Sequence, residues 1–211
     1  MGREFVEIFD DWVHTYDESV SGQDPEYAAV FENYLEILAA VAKNTEGPVV
    51  EFGTGTGNLT AALLGRGLKV VGIEPNAAMR KAAKEKFPEL VLLDGDFLDF
   101  DLPAAPKSFV SSYAFHHLTD KEKAQAIQHY ASILPRGGKI VFADTVFESD
   151  EAKLGRIVYE ESEGHLNLVE DLKREHYTTV PVMKAIFQDN GFDIKFTPMN
   201  DYVILMDATK R

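Results

Sequence analysis

The sequence predicts an α/β protein built on a doubly wound, mostly parallel sheet, and three observations predict it. From Pro48 onward, short apolar runs alternate with polar helical stretches, the pattern of a parallel sheet covered on both faces. One junction, Val49-Val50-Glu51-Phe52-Gly53-Thr54-Gly55-Thr56-Gly57-Asn58, reads as a strand, a glycine turn and the start of a helix. The last two apolar runs, Phe192–Phe196 and Tyr202–Ala208, are joined only by Thr197 to Asp201. A connection that short cannot hold a crossover helix, so these two strands must pair antiparallel.

The elements follow in order. Residues 1–45 read as N-terminal helices: Phe5, Ile8, Phe9, Trp12, Val13 and Tyr16 make one apolar stripe, and Tyr27 to Val41 another. Gly22-Gln23-Asp24-Pro25 separates them. Residues 46–211 form the core of a single domain spanning 1–211, without repeat, linker or low-complexity segment. Its strand candidates are Val49–Phe52, Leu68–Ile73, Leu90–Leu93, Ser108–Tyr113 and Lys139–Ala143, before the terminal hairpin, and a helix is expected over Asn58–Gly65. Residues 147–178 form a long acidic connection, in which Glu160-Glu161-Ser162-Glu163 reads as a solvated helix face.

Composition narrows the function. The chain carries 35 acids against 21 bases, a formal charge of −14, and that field repels phosphate backbones and anionic lipid. The basic residues Arg80, Lys81, Lys84 and Lys86 fall at helical spacing around Glu85 and read as a solvated face rather than a nucleic-acid patch. The expected partner is a small molecule, with neither nucleic acid nor membrane; monomer and homodimer both remain open. With no cysteine there is no disulfide framework, thiolate metal site or cysteine nucleophile. No apolar run reaches the roughly 18–20 residues of a membrane span, and Met1 to Glu7 lack a secretory core, so a cytoplasmic location is expected.

Three acids stand at strand ends. Glu51 closes the first apolar run, and the glycines after it alternate as acid-x-G-x-G-x-G. A dinucleotide fingerprint would place its third small residue at position 58, where Asn58 stands. Glu74 ends the second strand and precedes Pro75-Asn76, where it can serve as a ribose acceptor or as an acid at a helix start with Pro75 in its first turn. Asp96 follows the third strand, with Phe97 next and Asp94 two residues earlier. The fourth strand leads into Tyr113-Ala114-Phe115-His116-His117-Leu118, whose carboxyl end opens at the same crevice.

These residues together resemble the class I S-adenosylmethionine-dependent methyltransferases, over nearly all of Val49 to Thr209. The segments FVEIFDDWVHTYD and AFHHLTD are most similar to a small bacillus-type YrrT-like group. The resemblance implies a seven-stranded Rossmann-like sheet with one antiparallel strand, N-terminal lid helices, and S-adenosyl-L-methionine as cofactor. It implies that Gly53, Thr54, Gly55 and Gly57 pass beneath the methionine portion and that Glu51 meets its amino group. Glu74, with Pro75, would hold the ribose; Asp96 would accept from the adenine amine, the backbone N–H of Phe97 would contact a ring nitrogen, and the side chain of Phe97 or Leu98 would pack on the ring. Tyr16 on the lid and Tyr113 after strand four would complete the cofactor site, and 147–178 would shape the acceptor site.

Catalytic roles are open at this point. His116, His117, Tyr16 and Tyr177 are the candidates, with His176 beside the last. A histidine can act as a base because imidazole titrates near neutrality, or it can close the pocket sterically. Metal ligation is not expected, on the argument that adjacent histidines point apart and no third ligand is near in sequence. The activity implied is methyl transfer to a small-molecule acceptor. A cofactor-binding protein without transferase activity, and an NAD-dependent dehydrogenase, are the alternatives; Asn58, Asp96-Phe97 and the terminal hairpin argue against the second.

Overall fold

A computed structural model describes residues 24–211. The first apolar stripe and Tyr16 lie outside the described residues. Residues 24–33 are turns, and helix α1 runs over Tyr34–Asn44. The expected start at Tyr27 is therefore corrected: Asn33 adopts φ 60°, a left-handed conformation that asparagine tolerates and a continuing helix forbids.

Eight strands and six more helices follow. They are β1 (Val49–Phe52), α2 (Asn58–Gly65), β2 (Val70–Ile73), α3 (Ala77–Lys86), β3 (Val91–Leu93), β4 (Ser108–Ser112), α4 (Asp120–Ile133) and β5 (Lys139–Phe147). Then come α5 (Asp150–Glu163), α6 (Leu166–Arg174), β6 (Thr178–Thr179), α7 (Val180–Asp189), β7 (Phe192–Pro198) and β8 (Val203–Lys210). The main sheet runs β3-β2-β1-β4-β5-β8-β7, and β8 is antiparallel to both its neighbours. Strand order reverses between β1 and β4, so their carboxyl ends open a crevice.

Strand bounds differ from expectation at several ends: β2 and β3 start at Val70 and Val91, β4 stops at Ser112, and β7 and β8 run on to Pro198 and Lys210. β5 continues four residues past Ala143, and the short β6 pairs with its far end, Val146 to Thr178 and Phe147 to Thr179. Thr178-Thr179 is too short to carry a periodic signal, and it is held by its partner rather than by its own sequence.

Alternation along the strands sorts residues onto two cores. Val49, Val110, Val141 and Ala143 face α1, α2, α5 and α6, whereas Val50, Phe52, Phe109, Ile140 and Phe142 face α4 and α7. Glu51 lies on the first face by the same alternation, fully buried beside α2. No helix among the described residues is long and apolar enough to cross a membrane.

Candidate functional site

The glycine turn is forced by contacts as well as by dihedrals. Gly53 adopts φ 63°, and a Cβ there would lie 2.8 Å from the Ala114 Cβ, on the segment that follows β4. Gly55, at φ 55°, meets only the Gly53 carbonyl, 4.0 Å from where its Cβ would be, so its outer side is open. The turn delivers the chain into α2 through Gly57, the N-cap at φ 92°, so the positive dipole end of the helix lies at the turn.

The three strand-end acids have different surroundings. Glu51 Oε2 accepts from Thr60 Oγ at 2.5 Å, while Oε1 is buried with no hydrogen-bond partner. Desolvation pushes this carboxyl up to about 8, with the nearby Glu74 charge adding to the shift and the Thr60 bond opposing it. Glu74 accepts from the Gly55 amide at 2.9 Å and from the Asn76 amide at 2.8 Å, and burial still holds its carboxyl above the usual range. Asp96 Oδ1 accepts from the amides of Leu98 and Asp99 at 2.9 and 3.0 Å, which folds the turn after β3. Asp94 is exposed and pairs with Arg80 at 3.3 Å.

Several residues sit otherwise than the sequence suggested. Phe97 turns its ring into the core, 5.1 Å from Phe52 and 5.2 Å from Phe115 between centroids, and so presents no face for a base. Thr54 Oγ is buried against Gly72, facing the sheet rather than the crevice. Asn76 is the N-cap of α3, accepting from Met79 N at 2.8 Å, so Pro75 precedes the cap instead of opening the helix. Arg80 donates to the Glu74 carbonyl at 2.6 Å and is not a free surface cation. Glu160 is buried, accepting from Tyr202 Oη at 2.5 Å and from His165 at 2.7 Å; only the rest of that acidic run is solvated.

Beyond the glycine turn, the carboxyl ends of β4 and β5 border a cavity of about 490 Å³. Tyr27, Phe31, Tyr113, His116, His117 and Tyr177 line it, and α6 closes one side. Tyr113 adopts φ 53°, a costly conformation for an aromatic residue, which sets its ring 5.2 Å from Phe31 and 5.5 Å from Tyr34. His176 contributes its backbone: its amide donates to the His116 carbonyl, and its own carbonyl accepts from Lys123 at 2.6 Å.

The histidines form a short 3₁₀ turn, Phe115–His117, which brings their rings to 4.3 Å between centroids. The expectation that adjacent side chains point apart holds for a strand and fails for this turn. Each ring has an acid that the sequence reading missed. Asp144 Oδ1 accepts from His116 Nδ1 at 2.6 Å, and Glu175 Oε2 accepts from His117 Nδ1 at 3.1 Å. Burial disfavours a charged His116, yet the Asp144 charge and hydrogen bond outweigh it and hold the imidazole above its ordinary value. His117 lies below, from burial and from the neighbouring His116. One sequence signal could have found Asp144: like Glu51 and Glu74, it is an acid at the end of an apolar run.

Known proteins resemble this chain in sequence and in fold. A family model described as a methyltransferase domain matches residues 49–138. An uncharacterized methyltransferase of Anoxybacillus flavithermus is 50% identical over 212 residues, covering all of both chains, and one of Bacillus cytotoxicus is likewise 50% identical over the whole of both. Among solved structures, magnesium protoporphyrin IX methyltransferase from Synechocystis PCC 6803 with bound SAM superposes with a TM-score of 0.67 at 16% identity, over 98% of this chain and 97% of that one. A possible histamine N-methyltransferase from Thermotoga maritima gives 0.67 at 18% identity, over 99% and 100%. The chain belongs to the class I S-adenosylmethionine-dependent methyltransferases.

Proposed function

We propose that this methyltransferase holds its cofactor along the glycine turn and transfers the methyl group to a small molecule bound in the cavity beside Tyr113. The observation that carries the reading is the cavity itself, about 490 Å³ of mixed aromatic and polar lining at the carboxyl ends of β4 and β5. Tyr113 belongs to its wall and follows the same strand that meets Gly53 through Ala114, so the two compartments adjoin.

The residues at the first compartment fit the cofactor. The unpartnered Oε1 of Glu51 suits a cationic amino group that would restore a hydrogen bond to a buried oxygen. The open side of Gly55 lets a ligand approach backbone, and Glu74 stands at the strand end beside it. Asp96 and the backbone after it would take the adenine edge, without the Phe97 ring. S-adenosylmethionine supplies a methyl group already activated on a sulfonium. The protein's share is therefore to orient the acceptor and to exclude water.

The test is transfer of labelled methyl from S-adenosylmethionine to fractions of a small-molecule extract, with calorimetric titration of S-adenosylhomocysteine and NAD in parallel. Labelled product in a low-mass fraction, with S-adenosylhomocysteine binding and none of NAD, is the expected result. Label confined to protein or nucleic acid would overturn the small-molecule reading.

A further inference from the structure

We infer that His116 is the proton acceptor of the transfer, positioned by Asp144, and that the methyl acceptor is therefore a nucleophile with a dissociable proton: a thiol, a hydroxyl or an ammonium group. The inference rests on the reading of the cavity as the acceptor site. Asp144 is buried and grips His116 twice, Oδ1 taking the ring Nδ1–H at 2.6 Å and Oδ2 the backbone N–H at 2.9 Å. The Thr145 amide, donating to Oδ1 at 2.7 Å, steadies the carboxylate. With Nδ1 committed, the lone pair of the neutral ring is on Nε2. The ring lies 4.9 Å from that of Tyr177, tilted by 33°, and both belong to the cavity wall.

Charges reach this ring from every side. Asp144 comes from β5, Glu175 from the end of α6, Lys123 from α4, and His117 and Tyr177 stand alongside. The two acids favour the imidazolium and Lys123 opposes it; the net displacement is upward for His116 and downward for His117. Environments that separate two titrating neighbours assign them different roles, here an acceptor of the proton and a neutral wall residue. In the step, the heteroatom–hydrogen bond of the acceptor breaks and its proton passes to His116 Nε2. The freed electron pair becomes the bond to the methyl carbon, and the carbon–sulfur pair remains on sulfur. Asp144 keeps its charge throughout and stabilises the imidazolium.

A cation is the competing occupant, because one donor atom from each of His116, His117 and Glu175 lies within 4.8 Å of the others. Two contacts favour the proton. Glu175 Oε2 is already engaged by His117 at 3.1 Å, and Arg174 stands 3.6 Å from its Oε1, so the carboxylate needed to complete a triad sits between a ring N–H and a guanidinium.

The experiment is long-range ¹⁵N–¹H NMR of the imidazoles in the S-adenosylhomocysteine complex, titrated across pH, with the rate of methyl transfer to the labelled extract fraction measured over the same range. The signal lost in His116→Asn is expected to titrate above the ordinary value of about 6.5, with Nε2 as the unprotonated nitrogen of the neutral form. Asp144→Asn should lower that titration and move the acid limb of the rate with it, and Asp144→Glu should restore both in part. His116→Asn should lower kcat by about 10²-fold or more while S-adenosylhomocysteine affinity stays within about twofold. If Asp144→Asn does not fold, Asp144→Glu carries the comparison. A titration at or below the ordinary value, or kcat within threefold of wild type in His116→Asn, would overturn the inference. So would activity lost to a chelator and regained with zinc chloride. Failure to find any labelled small molecule would instead sink the acceptor-site reading, and the titration would still decide the pairing of His116 with Asp144.

Discussion

The two compartments on either side of Tyr113 are made by different means. The glycine-turn side is built from backbone: Gly53, Gly55 and the amides that Glu74 and Asp96 accept all derive from short stretches at three strand ends. The cavity side is built from side chains that meet across long separations, 28 residues for His116 with Asp144 and 58 for His117 with Glu175. A backbone-made site tolerates few changes of conformation, because each dihedral and each close approach belongs to the turn itself. A side-chain-made site can lose a group and keep its frame. The difference predicts which substitutions propagate.

The largest effect is expected at Gly53. Gly53→Val places a branched side chain at φ 63° against Ala114, so strain of about 1–2 kcal/mol adds to a clash that must move the segment leading to the histidines. Melting temperature should fall by about 5 °C or more, and S-adenosylhomocysteine binding should weaken at least tenfold, by calorimetry. An unchanged melting curve with unchanged affinity would show that the turn is not the rigid half of the molecule.

Glu74→Ala is expected to come next, weakening S-adenosylhomocysteine binding by about 1–3 kcal/mol, because the Gly55 and Asn76 amides lose a common acceptor, as do the ligand hydroxyls in the proposed cofactor placement. Asp96→Ala should cost the same or less, since part of its effect falls on the turn it folds.

Glu51 sharpens the comparison through pH. Its folded value of about 8 exceeds that of the unfolded chain, so the folded state keeps a proton that the unfolded state releases. Stability is therefore undiminished below the ordinary carboxylate range and declines as pH rises from there to about 8. Glu51→Gln removes that decline. Without ligand it should melt about 5 °C above wild type at alkaline pH, roughly 1–2 kcal/mol in a chain of this size, and no higher near pH 4. Equal differences at both pH values would contradict the buried carboxyl. With S-adenosylhomocysteine the order should reverse, since the amide offers the ligand no charge.

The smallest effect belongs to the cavity side. His117→Ala and Tyr177→Phe should leave S-adenosylhomocysteine affinity within about twofold of wild type, since neither touches the glycine turn. A tenfold loss in either would erase the division between the two sides.

The same division explains what could be read from the sequence. β1 and α2 fall on Val49–Phe52 and Asn58–Gly65 as the apolar pattern and glycines imply, and the terminal hairpin follows from a connection too short for a helix. These are local rules, satisfied within a dozen residues. The later start of α1 depends on one left-handed asparagine, and β6 depends wholly on the strand it joins. The ring of Phe97 was expected near a base from the family resemblance alone; its contacts with Phe52 and Phe115, both distant in sequence, turn it into the core instead. Asp144 was not among the acids singled out in the sequence, because its pairing with His116 arises only when β4 and β5 lie side by side.

Strand β5 has one further consequence. Its first five residues pair with β4, and its last two pair with β6, so one strand serves the sheet below and the cap above on the same edge. Residues between Phe147 and Thr178 leave and return to that strand at adjoining points, like a cassette held by both ends. Exchange of this segment for one of different length, rejoined at Thr178 with its apolar contacts preserved, would change the shape of the cavity without altering any register in the sheet. On the function proposed above, a lineage built this way can alter what it methylates while the half assigned to the methyl donor stays the same.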